Sequence, residues 1–526
     1  MSNHHHQYIL AIDLGTSGSK VALVTQNGEL VGYETQTTPV IYIPGGGAEQ
    51  NPEDWWLAIK NGISRLLNRQ LVAKKDIVGL SCTTQWSGTV AVDRKGRPLM
   101  NAIIWMDLRG AKYIRKIVAG PFKIHGYDVI KLWKWIHLTG GAPGRVGKDP
   151  IAHILFIKNE HPDIYQQTYK FLEPKDYLNL KFTGEFAATY DSIALHWLTD
   201  NRNICKVDYD QGLIHISGID RDKLPTLMRA NDILGYVLPQ VAEELGLPPG
   251  IRVVGGTPDL QSAAIGSGAV RDFEPHLYVG TSSWLVCHVP FKRTDLLHNM
   301  CSLPSAIPNR YLLTNEQECA GACLTYLKDK IFFAQDALTS RESPPDIYQI
   351  FDGIVEKAPA GSDGLIFTPW LYGERSPIDD QFIRGGFYNQ SLNTTRSHMI
   401  RAIYEGVAYN TRWLLGHVEN FIRRQVRSIR IVGGGAKSNI WCQIFADVLN
   451  RTIHQVKNPL LVNAMGSAFL ACVAMGYLTF ADIPTLVPIA NTYEPNPANH
   501  RLYSGLFQEF LNIYKKIRPI YVRLNQ

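Results

Sequence analysis

Two stretches of this chain join an apolar, strand-like run to a small turn rich in hydroxyls. Tyr8-Ile9-Leu10-Ala11-Ile12 ends in Asp13 and leads to Gly15-Thr16-Ser17; His276-Leu277-Tyr278-Val279 leads to Gly280-Thr281-Ser282. Glycine lets backbone N–H groups come close to phosphate oxygens, and the hydroxyls add donors. Asp13, at the end of a buried strand beside the first turn, suits Mg²⁺, which takes few protein ligands and keeps its waters; a turn-capping role is its alternative. Asp259 follows Gly255-Gly256-Thr257-Pro258 and precedes an expected helix. There it reads equally as a helix cap or as a base, with the helix dipole favouring its anion. Cradled phosphates, a metal-bearing carboxylate and an oriented nucleophile are what phosphoryl transfer requires. A further turn, Gly433-Gly434-Gly435-Ala436-Lys437-Ser438-Asn439, lies between an expected strand at 429–432 and a helix through Trp441, Ile444, Phe445, Val448 and Leu449. Its glycines leave room for a flat ring, although such turns are common.

The elements that must carry these groups are legible in part. Asn27-Gly28 is a hairpin signal with a returning strand over 30–35, so the first glycine turn runs from strand to strand. A Walker-type loop or dinucleotide fingerprint runs from strand into helix, and both are disfavoured. The expected plan is a hairpin turn offering its N–H groups to phosphate. Asn51-Pro52-Glu53-Asp54 opens a helix with an apolar face through Trp55, Ile59, Ile63 and Leu66, and strands are expected at 77–83 and 90–92. Alternation of strand and helix gives an α/β class with mixed sheets. The Gly-Thr-Ser turns echo each other, and Ile251-Arg252-Val253-Val254-Gly255-Gly256 echoes Ile429-Arg430-Ile431-Val432-Gly433-Gly434. This ordered repetition suggests two related domains, 8–270 and 275–485, facing a cleft that closes to exclude water, with a helical extension over 486–526.

The chain has 526 residues, 45% hydrophobic and 19% charged, enough for two large cores. Its net charge of +6 is spread in pairs such as Arg423-Arg424 and Lys515-Lys516 rather than in a stripe, so nucleic acid is not an expected partner. The eight cysteines form no Cys-x-x-Cys pair and sit in apolar stretches, as reduced structural thiols do; Cys319 and Cys323 lack a second pair to complete a metal site. The leader with His4-His5-His6 is a weak metal signal and an expected disordered tail. No secretory core or membrane-length apolar run is present, so no membrane partner and a cytoplasmic location are expected.

Four segments resemble the FGGY carbohydrate kinase family: Asp13-Leu14-Gly15-Thr16-Ser17-Gly18-Ser19-Lys20; Gly255 to Asp259 with Gly266 and Gly268; Gly373-Glu374-Arg375-Ser376-Pro377 with Arg384-Gly385 and Arg401 to Gly406; and Gly433 to Ser438 continuing to Gly466-Ser467-Ala468. The resemblance implies two ribonuclease-H-like domains of the actin and hexokinase type around a cleft, ATP and Mg²⁺ as cofactors, and transfer to a primary hydroxyl of a sugar or polyol. It implies Asp259 as catalytic base, Asp13 at the metal, and Gly15, Thr16, Ser17, Lys20, Gly280, Thr281 and Ser282 at the phosphates. It places Gly433, Gly434, Gly435, Ala436 and Asn439 at the adenosine, and Gln85, Trp86, Trp105, Asp107 and Asp259 around the sugar. The members nearest in look are those acting on xylulose, through Pro174-Lys175-Asp176-Tyr177-Leu178 and Thr183-Gly184, which makes a ketopentose, D-xylulose first, the expected acceptor. Where those members have Gly-Gln-Met-His-Gly, this chain has Thr84-Gln85-Trp86-Ser87-Gly88. Trp86 thereby puts an aromatic face at the substrate and keeps D-ribulose, L-xylulose, a tetritol or glycerol as alternatives. The family's helix-preceding glycine is Asn389, and its Lys-Leu-x-Trp-Leu is His153-Ile154-Leu155-Phe156-Ile157. A nucleotide-bound sensor without transfer is the reading from another class, opposed by the presence of both Asp13 and Asp259. A homodimer is compatible with the family, and no sequence stripe marks an interface.

Overall fold

The computed structural model describes residues 6–336 and 342–525; His4 and His5 of the leader lie outside them. The first sheet is built from β1 (Tyr8–Gly15), β2 (Gly18–Thr25), β3 (Leu30–Thr37), β4 (Ile77–Thr84), β5 (Ile233–Tyr236) and β6 (Arg252–Pro258). Its order is β5-β6-β4-β1-β2-β3. β1 and β2 form the expected hairpin, while β4 runs parallel to β1 and β6 parallel to β4. Helix α1 (Pro52–Asn68) starts where the sequence says: the Asn51 side chain accepts from the Glu53 N–H at 3.0 Å, Pro52 opens the first turn, and Trp55, Ile59, Ile63 and Leu66 are buried. Next come α2 (Pro174–Thr183) and α3 (Asp259–Gly266).

The second sheet follows the same plan with β7 (His276–Val279), β8 (Ser283–Val289), β9 (Thr294–Asp295), β10 (Met300–Pro304), β11 (Tyr311–Thr314), β12 (Ser428–Val432), β13 (Thr452–Val456) and β14 (Ile489–Tyr493), ordered β9-β10-β11-β8-β7-β12-β13-β14. Again a hairpin strand, β7, has a parallel neighbour, β12, which has a parallel neighbour of its own, β13. The Gly-Thr-Ser echo therefore joins equivalent turns. The strand-Gly-Gly echo does not: β12 occupies the place of β4, and β6 the place of β13. Gly433-Gly434 follows the end of β12, whereas Gly255-Gly256 lies inside β6, where its register against β4 shifts between Val254 and Thr257, so the two glycine pairs do different work.

Helices α4 (Arg396–Ile422), α5 (Asn439–Leu449), α6 (Val462–Ala474) and α7 (Pro497–Asn525) complete the second half. The stretch after 485 gives the sheet its edge strand β14 before it becomes helical, and α7 buries Tyr503, Phe507 and Phe510 in the second core. Each half also lends a helix to the other. Ala464, Ala468, Ala471 and Cys472 of α6 pack on Ile9, Ala11, Ala22 and Val254 of the first sheet, while Ala263, Ala264 and Ile265 of α3 pack with Val286, Val432 and Val456 of the second. α3 and α6 cross at two glycines. A β-carbon on Gly266 would lie 1.8 Å from the Val462 carbonyl oxygen, and one on Gly466 would lie 1.9 Å from that of Ser262. Asn389 takes φ +67°, the left-handed conformation that favours glycine and that Asn tolerates.

All eight cysteines are free thiols, and Cys82, Cys287, Cys319, Cys323, Cys442 and Cys472 are buried. Among the described residues no helix is long and apolar enough to cross a membrane.

Candidate active site

Parallel strands end together, and what they carry meets at their C-terminal edge. Asp13 on β1 is level with Thr83 on β4, which is level with Thr257 on β6, two residues before Asp259. Asp13 is 1% exposed, with Oδ2 held at 3.0 Å by Lys20 Nζ from the opposite strand of the hairpin. Its Oδ1 is buried without a hydrogen-bond partner among the described residues, which fits a cation carrying its own waters at this point. No cluster of three His, Cys, Asp or Glu able to hold a metal occurs among the described residues. Asp259 opens α3, and its Oδ1 accepts from the Leu260 N–H at 2.8 Å. Burial pushes its pKa up to about 7, and the charges of Asp13 and Glu316 add to the effect. The sequence expectation of an anion favoured by the helix dipole is reversed: a dipole contribution of about 0.3–1 kcal/mol is outweighed by desolvation and two like charges.

Sequence reasoning assigns a second wall to the acceptor. Here the hydroxyl of Thr16 donates to Gln85 Oε1 at 2.9 Å and accepts from the Trp105 indole N–H at 3.0 Å. Gln85 Nε2 donates to Gln50 Oε1 at 2.6 Å, and Gln50 Nε2 returns to the Thr16 carbonyl at 2.8 Å. This closed ring ties the first hairpin turn to the loop after β4, and it engages the Thr16 hydroxyl on the acceptor side. Trp86 is half-buried, its N–H donating to the Ser192 carbonyl at 2.9 Å, and Ser87 beside it holds φ +65°. Asp107 faces inward, 1% exposed: it accepts from the Ala48 N–H at 2.9 Å and from Arg109 Nε at 2.9 Å. Both its oxygens accept from the protein, so it braces Arg109 and the loop. Glu173 accepts from the Gly88 N–H at 2.9 Å and fixes the far end of the Trp86 loop.

From the second half, the Gly280-Thr281-Ser282 turn is closed by the Gly280 N–H donating to the Ser282 carbonyl at 2.9 Å, and Thr281 is exposed. The glycine turn after β12 lies directly on the end of β7: a β-carbon on Gly433 would meet the Val279 carbonyl oxygen at 2.6 Å, and one on Gly435 the Val279 side chain at 2.5 Å. Gly434 faces open space. Ala436 is buried, and its carbonyl accepts from Gln455 Nε2 at 2.7 Å; Asn439 Oδ1 accepts from Gln455 and from the Tyr493 hydroxyl at 3.0 and 2.9 Å. The Arg401–Glu405 motif is structural. The pair is buried at 2.7 Å, and Arg401 Nη2 donates to the Tyr503 hydroxyl of α7 at 2.9 Å.

Sequence reasoning did not find the ionic group opposite Asp259. Arg375 pairs with Glu316, and its Nε and Nη2 donate to Glu318 Oε1 at 3.0 and 2.8 Å. Lys148, from the first half, reaches the same Glu318 oxygen at 3.7 Å. Burial works to raise Glu318, but Arg375 and Lys148 outweigh it and hold its carboxyl low, whereas burial lifts Glu374 to about 8. The available signal was Arg375 in a recognised motif; its partners come from a loop after β11 that carries no motif.

Family models for the N-terminal and C-terminal domains of the FGGY family of carbohydrate kinases match residues 8–266 and 277–475. The chain belongs to the FGGY family of carbohydrate kinases. It is a phosphotransferase acting on a carbohydrate. A xylulose kinase of Staphylococcus epidermidis (strain ATCC 12228 / FDA PCI 1200) is 30% identical over 520 residues, 98% of either chain. A gluconokinase of Bacillus subtilis (strain 168) is 26% identical over 520 residues, 99% of this chain and 96% of that one. Among solved structures, gluconate kinase from Lactobacillus acidophilus superposes with a TM-score of 0.85 at 25% identity, covering 99% of this chain and 100% of that one. The FGGY fold accounts for the two like sheets.

Proposed function

We propose that this FGGY kinase transfers the terminal phosphoryl group of ATP to the terminal hydroxyl of a ketopentose, D-xylulose first. The reading is supported chiefly by the charge balance of the cleft. Lys20 is paired with Asp13, Arg109 with Asp107 and Glu49, Arg375 with Glu316 and Glu318, and Lys148 with Glu318. The positive charges of this set are balanced within the protein, which disfavours the carboxylate of an aldonic acid, and the indole rings of Trp86 and Trp105 suit the C–H face of a neutral polyhydroxyl. Asp259 takes the proton of the attacking hydroxyl and orients it, which in a loose transfer counts for more than basicity. The turns at Gly15–Ser17 and Gly280–Ser282 hold phosphates by backbone N–H and hydroxyl groups, with Lys20 alongside, and the turn at Gly433–Ala436 with Asn439 receives the adenosine. Asp13 Oδ1 would hold Mg²⁺, whose chemistry here is to neutralise phosphate charge.

A steady-state ADP-release screen over D-xylulose, other ketopentoses, polyols, glycerol and gluconate tests the reading. D-Xylulose is expected to give the highest kcat/KM, and chelation of divalent cations to abolish turnover. No turnover of D-xylulose together with turnover of another acceptor would overturn the substrate and leave the kinase.

A further inference from the structure

Lys148 lies just before the helix Pro150–Glu160 of the first half, and its side chain is only 18% exposed. Its ammonium sits over two aromatic faces from opposite sides of the cleft, 5.8 Å from the ring centre of Trp105 and 6.0 Å from that of Tyr372. Its backbone is held at the acceptor loop, where the Ser87 hydroxyl donates to the Lys148 carbonyl at 2.8 Å. An ammonium has three donors and cannot accept. Its nearest carboxylate oxygen, Glu318 Oε1, stands at 3.7 Å and already takes both Nε and Nη2 of Arg375, so Glu318 engages the ammonium only weakly. Its donors are free to meet an oxygen brought by a ligand. The Trp105 indole is bonded to Thr16 in the turn that follows Asp13, so the ammonium stands on the wall that carries the first hairpin turn.

We propose that Lys148 is a specificity-determining residue of this kinase, donating to a hydroxyl or carbonyl oxygen of the neutral acceptor remote from the one phosphorylated. This rests on the reading that the sugar enters between Trp105 and Asp259. With the acceptor held by Lys148 on one side and presented to Asp259 on the other, chain length and the placement of a single oxygen decide which sugar is turned over. A site built to bond a substrate oxygen rejects analogues lacking it far more strongly than an apolar pocket rejects a methylene.

The test uses the full chain, the acceptor that turns over best in the screen and its singly deoxygenated analogues, at saturating ATP. Lys148→Met is expected to raise the KM of the acceptor about tenfold and to leave the KM of ATP within about twofold. For one analogue, the penalty of about tenfold seen with the wild type should fall below about twofold in the variant, because the partner of the missing oxygen is already gone. An unchanged acceptor KM, or penalties that add for every analogue, would overturn the proposal; a purely structural latch gives the second result. If Lys148→Met does not fold, Lys148→Arg is expected to change which analogue is penalised, and an unchanged pattern counts against the proposal. If Asp259→Asn keeps full rate, the cleft reading itself fails, which is separable from a failure confined to Lys148.

Discussion

Asp259 combines two opposing demands. A base must be ionised to accept a proton, yet burial and the nearby Asp13 and Glu316 hold its pKa up at about 7. Only the deprotonated form accepts the hydroxyl proton, so kcat/KM is expected to rise with pH through about 7 and then level off, read from a pH–rate profile. For stability the sign is opposite. Between the unfolded carboxylate pKa near ~4 and about 7 the folded state binds the extra proton, so the contribution of Asp259 to stability falls as pH rises through that window. Asp259→Asn should therefore raise Tm at pH 8, with the gain shrinking towards pH 5, where the wild-type carboxyl is already neutral. Calorimetry at the two pH values checks this; a gain that does not depend on pH would show that the charge is not the cause.

At the scale of elements, the α3–α6 crossing positions the base. A β-carbon on Gly466 would overlap the Ser262 backbone with nothing flexible to yield, so Gly466→Ala is expected to cost about 1–3 kcal/mol and to lower kcat more than KM, since α3 carries Asp259 at its first turn. Thermal melts and steady-state rates check it. The Thr16–Gln85–Gln50 ring makes a second prediction: Gln50→Leu, which leaves Thr16 O and Gln85 Nε2 without partners, should lower kcat/KM for the acceptor about tenfold with little change in ATP affinity. Local signals made the hairpin at 8–25, the start of α1 and the candidates Asp13 and Asp259 legible, because turn chemistry, capping and strand ends are written within a few residues. The bracing of Asp107 was not legible: Arg109 and the Ala48 N–H both donate to it, and Ala48 lies 59 residues away in the chain. Nor could sequence tell that β12 matches β4 and not β6, since strand-Gly-Gly reads the same for a register shift inside a strand as for a turn after one.

For the whole molecule, two like sheets exchange helices, and Lys148 of the first half meets Glu316, Glu318 and Arg375 of the second in one ionic group. No sequence pattern joins these residues, which come from both halves and meet only in the fold. Arg375 neutralises Glu316, one of the charges that raise Asp259. Arg375→Met is thus expected to lower Tm and to move the acid limb of the pH–rate profile upward, a shift that loss of packing alone would not produce. The central claim is that Asp259 is the base in this cleft. Its most direct test is kcat for Asp259→Asn beside ATP affinity measured by titration. A fall in kcat of orders of magnitude with ATP binding nearly intact is the predicted result, and an unaffected rate would contradict it.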